Sequence, residues 1–154
     1  MKLNRSKDIL SKLGNIVHAD TQKHGHRIDL TLSEVHKLTG PGSLDFGGSE
    51  FREAPSEVVR PQKKQSDDDY GWWSLESGTY IVACNESIEL DDSGIAVVTP
   101  HPHSLKAGLT VNTTIIDAGA TANTETITLL IKVPEKGCNI KENARFASLF
   151  LISE

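Results

Sequence analysis

The sequence predicts a mainly all-β fold, a sandwich or jelly-roll-like β-barrel with one N-terminal helix. Three observations predict it. Apolar and polar residues alternate with period two over Leu109–Ile116 and Thr126–Val133, as in half-buried strands. Turn-forming clusters such as Thr39-Gly40-Pro41-Gly42-Ser43 and Pro134-Glu135-Lys136-Gly137 punctuate the chain. Twelve glycines, six prolines and an apolar share of 37% in 154 residues fit many polar loops around a modest core. The whole chain, 1–154, reads as a single domain that gains further buried surface by oligomerising.

Taken in order, Ser6–Val17 is the one helix candidate. Ile9, Leu10, Leu13, Ile16 and Val17 share a face, Ser6 can cap it, Asp8 suits the dipole of its first turn, and Gly14 weakens it. Docking over one end of a β domain is its simplest role. Arg27–Leu32 reads as a strand with Ile28, Leu30 and Leu32 on one face, continued after a bend by Glu34–Leu38. Leu44–Phe46 reads as a brief edge strand ended by Gly47-Gly48.

From Glu53 to Gly71 the composition turns polar, a surface loop or hairpin excursion. Its run Asp67-Asp68-Asp69 reads as a solvated face before a cation site. Trp72-Trp73 then re-enters the fold. Adjacent strand residues face opposite ways, so one indole is expected in the core and the other at an interface or near a ligand. Thr79–Cys84 and Glu86–Leu90 read as two strands about a turn at Asn85, followed by a hairpin turn at Asp91-Asp92-Ser93-Gly94 and an apolar strand over Ile95–Thr99. Arg145–Ile152, apolar on both faces, belongs at the centre of the fold or in a subunit contact. The count comes to about eight or nine strands.

Charge and composition narrow the function. The net charge is −5, and no basic block forms a nucleic-acid stripe. No apolar run is long enough to span a membrane, and the start has no apolar signal region, so a cytoplasmic protein is expected. Cys84 and Cys138 are too few and too far apart for a disulfide scaffold. His24-Gly25-His26 and His101-Pro102-His103 are each an His-x-His pair, which on a strand puts both rings on one side and can chelate zinc. No third ligand is spaced like a known site, and loop or surface histidines are the simpler reading.

The chain is organised around Val98–Gly119: a Pro-rich bend, a short turn ending at Gly108, and a strand that ends in Asp117 beside Ala118-Gly119. A carboxylate at a strand end is held by the sheet while the glycine turn lets a ligand approach. Ser104-Leu105, Gly108-Leu109 and Ile115-Ile116-Asp117-Ala118-Gly119 together resemble motifs of the dUTPase and dCTP deaminase superfamily, the shorter archaeal-type members most closely. Ile28-Asp29-Leu30 resembles its first motif, and Lys141–Phe150 its late turn-and-strand motif.

The resemblance implies a dUTPase-like homotrimer, with sites between subunits, that hydrolyses dUTP to dUMP and pyrophosphate with Mg²⁺ carried on the phosphates. It implies Asp117 as the group that orients and deprotonates the attacking water, in a pocket lined by main-chain amides. It also implies phosphate or nucleotide contacts from Ser104, Lys106, Gly108, Gly119 and Arg145, with Asp29 either near the metal-bound phosphates or structural.

The sequence departs from the family pattern at several positions. The arginine usual before the serine is missing, leaving Lys106 or His103 to supply positive charge without a bidentate fork. Ala120 replaces an aromatic ring, Ser148 replaces a glutamine, and the Gly-rich C-terminal arm has no counterpart. Two alternatives follow: a non-catalytic trimer with a binding or structural role, and a dCTP deaminase. The second is disfavoured because Leu130 occupies the position of the proton-shuttling glutamate and Glu125 is displaced in register.

Overall fold

The structure is a computed structural model that describes residues 1–92, 94–117 and 125–154, without the side chain of Glu125. Its strands are β1 (Lys2–Leu3), β2 (Leu13–Gly14), β3 (Lys23–His24), β4 (Arg27–Leu38), β5 (Ser56–Val59), β6 (Trp72–Leu75), β7 (Gly78–Ile88), β8 (Gly94–Pro100), β9 (Thr110–Val111), β10 (Thr114–Asp117), β11 (Glu125–Val133), β12 (Cys138–Lys141) and β13 (Arg145–Ser153). Three short helices join them: α1 (Ser6–Leu10), α2 (Ala19–Gln22) and α3 (Pro102–Lys106). The main sheet runs β10-β8-β13-β4-β7-β11-β9, entirely antiparallel, with β12 and β6 forming a separate pair.

β4 is the strand on which the sheet curls. Its first half pairs with β13 and β3, and its second half with β7 and β5, with register shifts near Leu32–Glu34. An irregularity of this kind bends a strand and lets it pass from one sheet to another. The expected bend between Leu32 and Glu34 is therefore the joint of the fold. Ile28, Leu30 and Leu32 enter the apolar core with Val82, Ile131, Leu149 and Phe146. The opposite face of the same half-strand is polar yet equally buried, through Asp29 and Thr31.

Four expectations need correction. The helix proposed over Ser6–Val17 is the five-residue α1, with Arg5 rather than Ser6 at its N-cap. Asn15 turns the backbone left-handed (φ 60), and Leu13–Gly14 pairs with Ile88 and Ser87 of β7. The apolar side chains thus find the sheet instead of a common helix face. The two strands drawn about Asn85 are one, β7. Asn85 hydrogen-bonds Thr31 and Asn143, and Glu86 is fully buried, so neither forms a turn. The strand expected over Leu109–Ile116 is broken at Asn112-Thr113, β9 joining β11 and β10 joining β8. Leu44–Phe46 forms no strand, and Leu44 and Phe46 stand almost wholly exposed. Among the described residues no helix is long and apolar enough to cross a membrane.

Candidate functional site

The clearest gathering of site residues is a cleft of about 300 Å³ between α3, β12 and the start of β13, lined by Trp72, His103, Ser104, Lys141 and Arg145 among others. Strand register builds its wall. In the β6–β12 pair Trp73 lies opposite Ile140 and Trp72 opposite Lys141. The first pair points inward, where the Trp73 indole N–H donates to the Val59 carbonyl at 2.9 Å. The second pair therefore faces the cleft, as alternation requires. Lys64 Nζ sits 4.3 Å and Lys141 Nζ 5.8 Å from the Trp72 ring centroid. Trp73 is thus the core indole, and Trp72 is half-buried on the cleft wall.

Behind the cleft, Asp29 is a hub. Its carboxylate is wholly buried and meets Arg145 Nη1 at 3.0 Å, His24 Nε2 at 3.1 Å, Arg27 Nε at 3.2 Å and His101 Nε2 at 3.3 Å. The His24 approach lacks the alignment of a hydrogen bond, so it is an electrostatic contact. His101 is the N-cap of α3, and its Nδ1 accepts from the His103 backbone N–H at 2.9 Å. That leaves the proton on Nε2, aimed at Asp29. Burial holds His101 below its ordinary value against the upward pull of Asp29, with His103 and Arg145 adding to the lowering. Two guanidiniums, Arg27 and Arg145, thus face one carboxylate, and Arg145 also lines the cleft.

This geometry revises several sequence expectations. Asp29 is wholly buried behind its arginine and histidine partners. Ser104 is buried and donates to the Phe146 carbonyl at 2.7 Å, so its hydroxyl is already engaged. Gly108, at φ +80, ends α3, its N–H bonding the Leu105 carbonyl at 3.2 Å while the Leu109 N–H bonds that of Ser104 at 2.9 Å. These are the bonds of a helix C-terminus rather than of an open phosphate loop. Lys106 is exposed on α3 outside the cleft lining, and Arg145 lines the cleft. Gly119 and Ala120 lie outside the described residues.

Asp117 ends β10 and is exposed, directly before residues 118–124, which lie outside the described residues. Its register partner Ile95 lies opposite Ile152, at the far end of β13 from Arg145. At about 3.3 Å per residue that separation is on the order of 20 Å.

The remaining candidates recede. One histidine of each His-x-His pair reaches Asp29, but among the described residues no His, Cys, Asp or Glu cluster is arranged to hold a metal. In the acidic run, Asp68 accepts from the Gln65 backbone N–H at 3.0 Å, a local turn contact. Burial raises the thiols of Cys84 and Cys138, Glu86 adding to it at Cys84, so neither is a ready nucleophile. A larger cavity of about 710 Å³ lies over β4 and β7 beneath residues 42–56, away from every site residue that the sequence points to.

No protein-family profile matches the chain. Known sequences do. A "Probable deoxyuridine 5'-triphosphate nucleotidohydrolase" of Methanosarcina acetivorans is 31% identical over 137 residues, covering 89% of this chain and 75% of its own. The chain belongs to the dUTPase family. A Methanosarcina barkeri protein of the same name is 30% identical over 139 residues, covering 90% and 77%. Among solved structures, the 2'-deoxycytidine 5'-triphosphate deaminase of Agrobacterium tumefaciens superposes with a TM-score of 0.64 at 18% identity, over 97% of this chain and 46% of that one. This dUTPase-family chain thus spans under half of the deaminase's length and shares its fold. The relatives favour neither the deaminase nor the non-catalytic alternative.

The sequence did not single out Lys64 and Lys141, nor the convergence of Arg27, His24 and His101 on Asp29. Polar residues scattered from His24 to Lys141 give no local pattern; strand register, the Gln62–Trp72 bridge and the start of α3 unite them.

Proposed function

We propose that this chain hydrolyses dUTP to dUMP and pyrophosphate at sites assembled between the copies of a cytoplasmic homotrimer, each copy a single domain. The observation that carries the reading is the match over 89% of the chain to a relative named for that reaction. Asp117 would take a proton from a water whose oxygen forms a bond to the α-phosphorus. The bond from that phosphorus to the oxygen bridging the β-phosphate breaks, and pyrophosphate leaves with the electron pair. An exposed carboxylate at the end of a strand held by β8 is suited to this.

In this reading Arg145, Lys106 and main-chain amides around Gly119 bind phosphate oxygens. Ser104 and Gly108 shape α3 and the cleft wall, and Asp29 positions Arg145. Mg²⁺ does not fit as a protein-held ion, because no suitable ligand cluster exists among the described residues and Asp29 is saturated by cationic and imidazole groups. Any Mg²⁺ requirement belongs to the nucleotide's own phosphates. Two free thiols, Cys84 and Cys138, suit a reducing compartment. Pyrophosphate release from dUTP with Mg²⁺ tests the reading. Asp117→Ala should lower kcat by about 10²–10⁴-fold with unfolding unchanged; no release from the unaltered protein, or equal release from the variant, refutes it.

A further inference from the structure

The cations nearest the cleft are not equally free to meet a ligand. Arg145 Nη1 is held by Asp29 at 3.0 Å and approaches the Thr21 carbonyl at 3.4 Å. Arg27 is held by the same carboxylate. Lys64 and Lys141 differ: neither has a carboxylate within ion-pair distance among the described residues. Both ammonium groups are nonetheless held near one place, the face of Trp72.

Two structural devices put them there. Antiparallel pairing sets Lys141 directly across from Trp72. A two-way backbone bridge between Gln62 and Trp72, 2.8 Å in each direction, ties down the segment that carries Lys64. The ring's negative face attracts each ammonium but cannot neutralise either. Two like charges held beside an aromatic ring, at the edge of a cleft that also holds Arg145 and His103, leave an unmet demand for an anion.

We propose that Lys64, Lys141 and Trp72 form this chain's polyphosphate-binding wall, the two ammonium groups meeting the phosphates of the bound nucleotide and the indole holding them in place. The proposal rests on the dUTPase reading for the identity of the nucleotide but not for the existence of an anion site. It supplies the positive charge that the sequence lacks where the family carries an arginine before Ser104.

The test uses the full-length protein and two ligands, tripolyphosphate and dUTP. Calorimetric titration with tripolyphosphate at low salt should show saturable binding. Lys64→Gln and Lys141→Gln should each weaken it about fivefold, and the pair about twentyfold or more, as expected for lost charge-assisted contacts that water partly screens. Lys7→Gln, the same charge change on α1, should leave affinity unaltered. With dUTP the two wall variants should raise KM by the same factors while kcat changes less. Tripolyphosphate binding that depends on Lys64 and Lys141, without pyrophosphate release from dUTP, would uphold the wall and refute the hydrolase. Turnover of dUTP with KM and tripolyphosphate affinity unmoved in both wall variants would refute the wall alone. An equal loss in Lys7→Gln would reduce the effect to net charge and overturn the proposal.

Discussion

Replacing Asp29 with asparagine is the sharpest test of how the site is held. The change is isosteric, so it opens no cavity, and it alters only charge and donor pattern. Oδ2 accepts or faces Arg145, His24 and His101, and Oδ1 accepts from Arg27. An asparagine must turn its NH₂ toward one of these groups, all of which present N–H. In the better orientation it faces Arg27 Nε, losing that contact and weakening the other three. Breaking a buried ion pair from one side costs about 3–5 kcal/mol. The arginine side chains keep 34% and 33% of their surface in water, which softens the penalty to about 2–4 kcal/mol.

For a chain of this length that corresponds to a fall in Tm of about 5–15 °C. Urea unfolding followed by tryptophan fluorescence measures it directly, because Trp73 is buried in the core. The Asp29→Asn and Arg145→Met changes should also couple, the double variant losing at least about 1 kcal/mol less than the sum of the singles. A loss below about 1 kcal/mol for Asp29→Asn, or strict additivity with Arg145→Met, would mean that the hub is a set of surface contacts, and the positioning role given to Asp29 would fall with it.

Glu86 accepts from the Thr31 N–H at 2.8 Å, the Thr31 hydroxyl at 2.6 Å and the Gln22 amide at 3.1 Å, so Glu86→Gln sets a donor against donors and should cost about 1–3 kcal/mol at pH 7 in urea titration. Burial raises the Glu86 carboxyl against the lowering by those bonds, yet the bonds should outweigh the relief of removing its charge; equal or greater stability in the variant refutes this. His101 has a folded pKa below its ordinary 6.5, so its contribution to stability is present above that value and lost as pH falls from it through the lowered folded pKa. His101→Asn keeps an N-cap acceptor and should flatten that part of the pH–stability curve; an unchanged slope contradicts the assignment. A Cβ at Gly71 would lie 3.0 Å from the Gln62 carbonyl carbon and 3.1 Å from its nitrogen, so Gly71→Ala should cost about 1–3 kcal/mol and disturb Trp72 emission, whereas a silent substitution would show the 62–72 bridge to be soft.

What was legible in the sequence was whatever depends on one strand alone. Ile28, Leu30 and Leu32 alternate in the sequence and do so in β4; Ile127, Leu129, Ile131 and Val133 do the same in β11. Asn85-Glu86 misled because polar residues in a row resemble a turn, and only the buried Thr31–Glu86 bonding makes them a strand interior. The stretch after Leu10 misled because its apolar spacing fits a helix, while Leu13 meets Ile88 across a strand pair that no local pattern encodes. Asp29 and Arg145 were legible as candidates, but their union depends on β4 and β13 lying side by side. Ser104 is legible as a candidate too, yet its hydroxyl goes to the Phe146 carbonyl, 42 residues away, a partner that no local pattern reveals.

The separation of Asp117 from the cleft makes the strongest demand on the functional reading. The two lie toward opposite ends of β13's length, on the order of 20 Å apart at the strand rise. A water positioned by Asp117 cannot reach a phosphorus held at Arg145 of the same copy without dismantling the sheet. If both residues serve one reaction, they come from different copies, and each copy lends half of two sites. Asp117→Ala and Arg145→Gln proteins should each be inactive alone, as assembled from separate expression. Unfolded together, mixed in equal amounts and refolded, they should recover about a quarter of the unaltered activity, the share of sites that draws an intact residue from each neighbour. Refolding the unaltered protein sets the scale. No recovery from a mixture that does form hybrid oligomers would place both residues' roles within one copy or remove one of them from the chemistry, and the shared site would have to be abandoned.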